Sequence, residues 1–397
     1  RKRSLEMTIS SLPDDLWFQI FLHLPVKDLL ASKCVCKSWL ANISSRRFVT
    51  DHLRRSISSG EDNETLIVHH SVNLELQGGG PFSLTHLTSG DVLEQLDCPY
   101  SEGYYSSGPT LCRILGSDCG IVCALVKRGR RYDIYLWNPA TKLSKLVPSQ
   151  IEGRLLEGQI IGFGFDQKDF DCKVVEIVSS STSVYSSNRN AWRKMFPIKQ
   201  ILPIDVPFVA LEVCLHGFLL TTGHKGMMAF DLNKEVFIYN IKLPVDPEDT
   251  CIAEYYDSIA VMMCERSENK VKLWTLDDEA CLSGGGVEAS WTMKLSFDVG
   301  DQHFYRPRGL FNSVEFLLVD YNYNRFLYNP YKQAPTNLRP TTSWGIFNHT
   351  KSLFPIAGSK PVKWTASPWR QLQLEWDYNV EKDEESISTD DDKSHDD

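Results

Sequence analysis

Residues 11–48 read SLPDDLWFQIFLHLPVKDLLASKCVCKSWLANISSRRF and place three helical patterns within about forty residues. The first pattern begins where Ser11 offers an N-cap, Pro13 suits a first turn, and Asp14 and Asp15 put negative charge at the positive end of the helix dipole. Leu16, Trp17, Phe18, Ile20, Phe21, Leu22 and Leu24 then follow with only Gln19 and His23 between them. A helix apolar nearly all round is buried on two sides. Pro25 restarts the chain, Val26, Leu29 and Leu30 give a second stripe, and Val35, Trp39, Leu40 and Ile43 give a third. So short a segment cannot enclose this much apolar surface by itself. One face packs inward, and the other is offered to another chain.

Three spaced elements carry a resemblance: Leu12-Pro13, the second Leu24-Pro25-Val26-Lys27, and Cys34-Val35-Cys36-Lys37-Ser38-Trp39. Together they resemble the F-box in the form common in plants. The resemblance implies a three-helix module over residues 8–52 that docks on a Skp-type adaptor and, through it, on a cullin ubiquitin ligase. By position it implies an adaptor-facing set of Leu12, Pro13, Leu16, Ile20, Leu24, Pro25, Val26, Leu29, Val35 and Trp39. Ser32 departs from the pattern, since a bulky apolar residue often stands there.

The whole chain has 397 residues, room for a small module plus one large domain. Hydrophobic residues make up 42% and charged residues 23%, as in ordinary globular protein. The longest apolar stretch, Val206 to Leu220, is interrupted by Glu212 and His216, so no membrane span is expected. Arg1-Lys2-Arg3-Ser4 has no apolar core behind it, which argues against a secretory signal. The eleven cysteines show no paired zinc-type spacing, and most sit in apolar runs such as Ile121-Val122-Cys123-Ala124. Buried reduced thiols, and hence cytoplasm or nucleus, are the expectation. From Val380 to Asp397 nine acidic residues face two lysines, a balance of −7 out of the total −9. The remaining −2 leaves a body near neutral, with no broad basic surface for nucleic acid.

Beyond a polar hinge at residues 53–64 the helical pattern ends, and short β-branched and aromatic runs punctuated by Gly, Pro, Asn and Asp take over. Residues 65–378 are therefore expected to form a large all-β domain, and residues 379–397 an acidic disordered tail. Hairpin-like units turn near residues 140, 187, 233, 278 and 322, a period in the mid-forties that suits four-stranded propeller blades. At that spacing the domain has room for six or seven. Trp137-Asn138-Pro139-Ala140-Thr141, Gly162-Phe163-Gly164-Phe165-Asp166 with Cys172-Lys173-Val174-Val175, Ala191-Trp192-Arg193 and Phe230-Asp231-Leu232 resemble the F-box-associated interaction domain of plants. That family is filed beside kelch proteins, although kelch Gly-Gly doublets do not recur here. The resemblance implies a domain that selects the protein to be modified.

Signals for chemistry are few. Gly162-Phe163-Gly164 lacks the third glycine and following helix of a dinucleotide site, and His69, His70, His216, His224 and His303 have no metal-ligand spacing. No catalytic residue, metal or cofactor is expected. Trp137, Trp192, Trp274, Trp291 and Tyr328 read as blade core, whereas Tyr104-Tyr105, Phe304-Tyr305-Arg306 and Trp344 are loop candidates for a binding face. Ser388 and Thr389 precede Asp390-Asp391-Asp392, a pattern for an acid-directed kinase. The expectation is a non-catalytic substrate receptor of a Skp–cullin–F-box ligase, bringing an unidentified protein target to the adaptor. Two alternatives stand: an F-box scaffold that delivers nothing, and a propeller enzyme or lectin-like binder.

Overall fold

The computed structural model describes residues 12–59, 65–71, 79–86, 92–96, 112–128, 131–152, 159–178, 181–195, 209–210, 213–223, 226–246, 250–265, 267–283, 286–299, 304–311, 314–320, 325–337 and 343–362. Four helices come first: α1 Asp14–Leu22, α2 Val26–Ser32, α3 Lys37–Ile43 and α4 Arg46–Ser59. Pro13 and Pro25 occupy the N-cap positions of α1 and α2, neither with a side-chain cap, while Cys36 Sγ accepts from Trp39 N at the start of α3. The fourth helix corrects the expected three-helix module with a hinge from residue 53. Its signal is Phe48, Val49, His52 and Leu53, an i, i+1, i+4, i+5 stripe whose members are all buried. That inward face continues the helix through the polar residues read as linker.

Six sheets follow among the described residues, antiparallel but for one short added strand. The second to sixth are built in chain order from Cys112–Glu152, Gln159–Lys194, Val213–Ile241, Thr250–Asp298 and Phe304–Asn337, four strands each. The first combines Thr65–Ser71, Gly79–His86 and Val92–Leu96 with a strand from the far end of the chain, Ser343–Asn348, which pairs with Thr65–Ser71. Val209–Ala210 adds a parallel strand to the third sheet, and Lys360–Pro361 pairs onto the outer strand of the second.

Adjacent residues show why the strands read as unbroken apolar runs. Leu66 packs between the sixth and first sheets and Ile67 between the first and second. Val174 faces the second sheet while Val175 faces the fourth, and Leu219 and Leu220 likewise serve opposite sides of the fourth. Phe316 and Leu317 divide between the fifth and first neighbours of the sixth. Side chains alternate along a strand, so a sheet sandwiched between two others needs apolar residues at both parities. Six clusters fill six interfaces, which closes the ring as a propeller.

The repeat is carried by the turn between the third and fourth strands of a blade. Asn138 Oδ1 accepts from Thr141 N, Asp231 Oδ1 from Asn233 N and Lys234 N, and Asn329 Oδ1 from Tyr331 N and Lys332 N. Each of these turns ends on a left-handed residue, Lys142, Glu235 or Gln333. The fifth equivalent turn is thus 330–333 and not the expected 322. Phe316 and Tyr328 do pair across a hairpin, but it joins the second and third strands of its blade. Phe304–Arg306 and Trp344, expected in loops, lie in strands Phe304–Phe311 and Ser343–Asn348, whereas Tyr104-Tyr105 falls outside the described residues. Among the aromatic core candidates Trp137 and Tyr328 are buried, and Trp192, Trp274 and Trp291 are half-buried.

Where the ring closes, His349 is buried; its Nδ1 bonds Ser117 Oγ at 2.9 Å, and its Nε2 has no hydrogen-bond partner. Burial, reinforced by the charge of Lys351, lowers its pKa from the usual 6.5 to about 4. The unfolded chain therefore takes up a proton before the folded one does. Stability is full above about pH 6.5 and falls as the pH drops toward 4, by roughly 3 kcal/mol at the acid end. His349→Gln is expected to flatten this limb in denaturant titrations at pH 7, 5.5 and 4. An unchanged pH slope would refute the assignment.

Candidate protein-docking face

The helical module divides its apolar residues between two faces. Inside, Trp17, Phe21 and Trp39 form an aromatic cluster with ring centroids 4.7 to 5.5 Å apart, and Phe18 meets Phe48 edge-on at 5.3 Å. His52 Nε2 closes the same core on Leu24 O at 2.9 Å. Outside, Leu16 and Ile20 stand one turn apart on α1 at 49% and 43% exposure, preceded by Leu12 at 41%. Val35 at 60% and Leu40 at 47% add further exposed aliphatic surface around α3.

Of the ten residues expected to face an adaptor, Leu12, Pro13, Leu16, Ile20, Pro25 and Val35 are exposed and Leu24 is half-buried. Val26 and Leu29 are corrections: at 3% and 0% exposure they belong to the module's own core. The short α2 has one inward side, and its i, i+3 pair of large aliphatics occupies it. Trp39 is half-buried and mainly a core residue, with its ring against Trp17 and Phe21. Leu40 was missed. Its signal was the spacing of Trp39 and Ile43, which fixes the inner face of α3 and leaves the residue between them turned off it.

This module sits on the propeller and is not held apart from it. Phe48, Val49 and Leu53 of α4 share one continuous core cluster with Phe165 and Phe170 of the third sheet, and Arg46 Nη2 donates to Asp169 O at 3.3 Å. Asp169 and Phe170 lie in the turn between the first and second strands of their blade. In an antiparallel blade that turn emerges at the same end as the turn between the third and fourth strands. The opposite end carries the second-to-third turns and the crossings between blades.

Elsewhere, the expected histidines are separated. His69 and His70 lie on a strand of the first sheet, and His224 and His303 fall outside the described residues, as do Ser388 and Thr389. His216 joins two blades: its Nδ1 contacts Glu279 Oε1, and its Nε2 lies 3.7 Å from Glu254 Oε1. The carboxylate of Glu254, opposed by burial and aided by Glu279, raises its pKa to about 9. No helix among the described residues is long and apolar enough to cross a membrane.

Comparison with known proteins gives two matches along the chain. Residues 9–51 match the F-box domain, and residues 84–339 match the F-box associated beta propeller domain. An F-box/kelch-repeat protein of Arabidopsis thaliana is 30% identical over 194 residues, covering 46% of this chain and 51% of that protein. The chain thus spans about half of that relative's length. The F-box protein CPR1 of the same plant is 22% identical over 322 residues, 72% of each chain. Another Arabidopsis thaliana F-box protein is 26% identical over 308 residues, 68% of this chain and 73% of its own. A helical module matching one domain and a six-sheet ring matching the other, in the same order, account for both halves of the described structure, and the chain belongs to the F-box proteins that carry an F-box associated beta propeller domain.

Proposed function

We propose that this chain is the target-binding subunit of a Skp–cullin–F-box ubiquitin ligase. F-box domains in general bind Skp-type adaptors, and a propeller joined to one suits a substrate receptor. The observation that carries the reading is the exposed aliphatic stripe Leu12, Leu16 and Ile20, with Val35 and Leu40 also exposed, on a module whose Phe21, Val26, Leu29, Ile43 and Phe48 are already buried in its own core. Covering such surface is the main gain available at a protein interface, roughly 25 cal/mol for each Å² removed from water. The chain supplies no bond chemistry. Holding a target beside a ubiquitin-charged enzyme raises its effective concentration and restricts its orientation.

In keeping with cytoplasm or nucleus, nine of the described cysteines are free thiols, and burial drives those of Cys119, Cys123, Cys172 and Cys214 well above the usual range. The full chain is expected to co-purify with a recombinant Skp-type adaptor and cullin. Proximity labelling in cells should mark proteins that accumulate when the cullin is inhibited. Adaptor binding without any ubiquitin conjugates that depend on this chain would favour a scaffold instead, and failure to bind the adaptor would remove the reading altogether.

A further inference from the structure

The segment after the ring-closing strand does more than finish the chain. Residues Lys351–Ser359 have no regular secondary structure, yet Ser352, Leu353, Phe354 and Ile356 are buried at 1–4% exposure. Irregular backbone at that depth needs partners for its polar groups. The fully buried Asn138 supplies them: its Nδ2 donates to Ser352 O and to Phe354 O, both at 3.1 Å. Lys145 Nζ donates to Ala357 O at 2.5 Å. The segment lies so close to Gly120 that a Cβ there would strike Ser352 Oγ and stand 2.7 Å from Thr350 O, and Gly120 also has a φ of +80°. Phe354 packs its ring against both Phe165 and Phe170, with centroids 5.1 and 5.3 Å away, and those two rings also meet edge-on at 5.1 Å.

Phe170 sits in the turn whose Asp169 O accepts from Arg46 of α4, and Leu353, Phe354 and Ile356 join Phe48, Val49 and Leu53 in one cluster. The seat under the F-box is therefore completed by residues beyond 339, outside both matched domains.

We propose that residues 351–359 form a seat that fixes the F-box at one angle to the propeller, with Phe354, Asn138 and Arg46 as its positioning residues. The seat exists only when the ring has closed, because the strand Ser343–Asn348 that leads into it completes the first sheet. Its functional meaning rests on the receptor reading above: a target held by the propeller then lies at a fixed distance from the adaptor, and transfer falls on a restricted set of lysines.

Amide hydrogen exchange on the full chain, alone and with a Skp-type adaptor, tests this. In Phe354→Ala, amides of residues 46–53 should exchange about tenfold faster or more, while those of Ser258–Glu265 across the ring keep their rates. Adaptor affinity should change by less than about twofold, since the exposed α1 stripe is untouched. Arg46→Ala, a surface change that cannot unfold the ring, should give a smaller loss of protection confined to α4 and the 167–170 turn. Unchanged exchange in α4, or a uniform increase around the whole ring, would overturn the proposal. Absence of adaptor binding with the α4 result intact would instead fault the receptor reading.

Discussion

Replacing Leu16 and Ile20 together by Asp is expected to abolish adaptor capture, with affinity falling at least about a hundredfold, while the fold survives. Two effects compete. Aspartate is a poorer helix former than leucine or isoleucine, so the pair costs α1 roughly 1 kcal/mol in propensity. At an interface each substitution removes an anchor worth about 2 kcal/mol or more and leaves a carboxylate to be desolvated against an apolar partner. The second effect wins by several kcal/mol because both side chains are nearly half exposed and contribute little to the module's own core. Val26→Asp supplies the contrast: at 3% exposure it should unfold the module and lose the adaptor for that different reason. Calorimetric titration of the adaptor beside thermal unfolding separates the two. Full adaptor affinity in the doubly substituted protein would show that α1 is not the docking face.

That contrast marks what the sequence made legible. The apolar excess on α1 could be counted residue by residue, and Leu16 and Ile20 lie outside as one i, i+4 pair. In α2, Val26 and Leu29 suit a partner or a core equally well as residue types, and only their neighbours decide. The fourth helix was hidden by charge: Arg46, Arg47, Asp51, Arg54 and Arg55 dominate the text of α4, and its buried stripe needs just four residues. In the propeller the mid-forties period was legible because Asn138 and Asp231 cap the same turn in different blades, a place that Asn329 fills in the sixth. It slipped by one hairpin in the sixth blade, where Asn322 offered an equally good turn residue. Ring closure by Ser343–Asn348 and the seat beyond it left no local signal, because both depend on contacts with residues more than two hundred positions away.

Lys173→Met is expected to destabilise the propeller by about 3–5 kcal/mol, the range for removing one partner of a buried ion pair. Lys173 is 1% exposed between the third and fourth blades. Its Nζ lies 3.1 Å from Asp166 Oδ2, 3.2 Å from Glu235 Oε1 and 2.5 Å from Leu232 O, so one ammonium ties two carboxylates and a carbonyl. Methionine fills a similar volume, and the loss therefore reports electrostatics and not a cavity. Asn233 still donates to Asp166, and Arg193 still pairs with Glu235, which keeps the cost below that of two bare charges.

The pH dependence discriminates further. Burial pushes the Asp166 carboxyl up, but the hydrogen bonds from Lys173, the Asp169 backbone and Asn233, together with the Lys173 charge, outweigh this and hold it below the usual range. In the native protein that group stabilises the fold above the unfolded carboxylate pKa and loses its contribution as the pH falls. Without Lys173 the carboxyl moves up from its native position, so the fall in pH costs the variant less than it costs the native protein. The stability gap between native protein and variant should thus narrow from pH 7 to pH 4, with the His349 contribution common to both and cancelling. Asp166→Asn and Glu235→Gln added to Lys173→Met should recover most of the loss, since a network removed whole leaves no orphaned charge. A gap that stays constant with pH, or a triple variant no more stable than the single one, would show that Lys173 acts through packing and not through its charge.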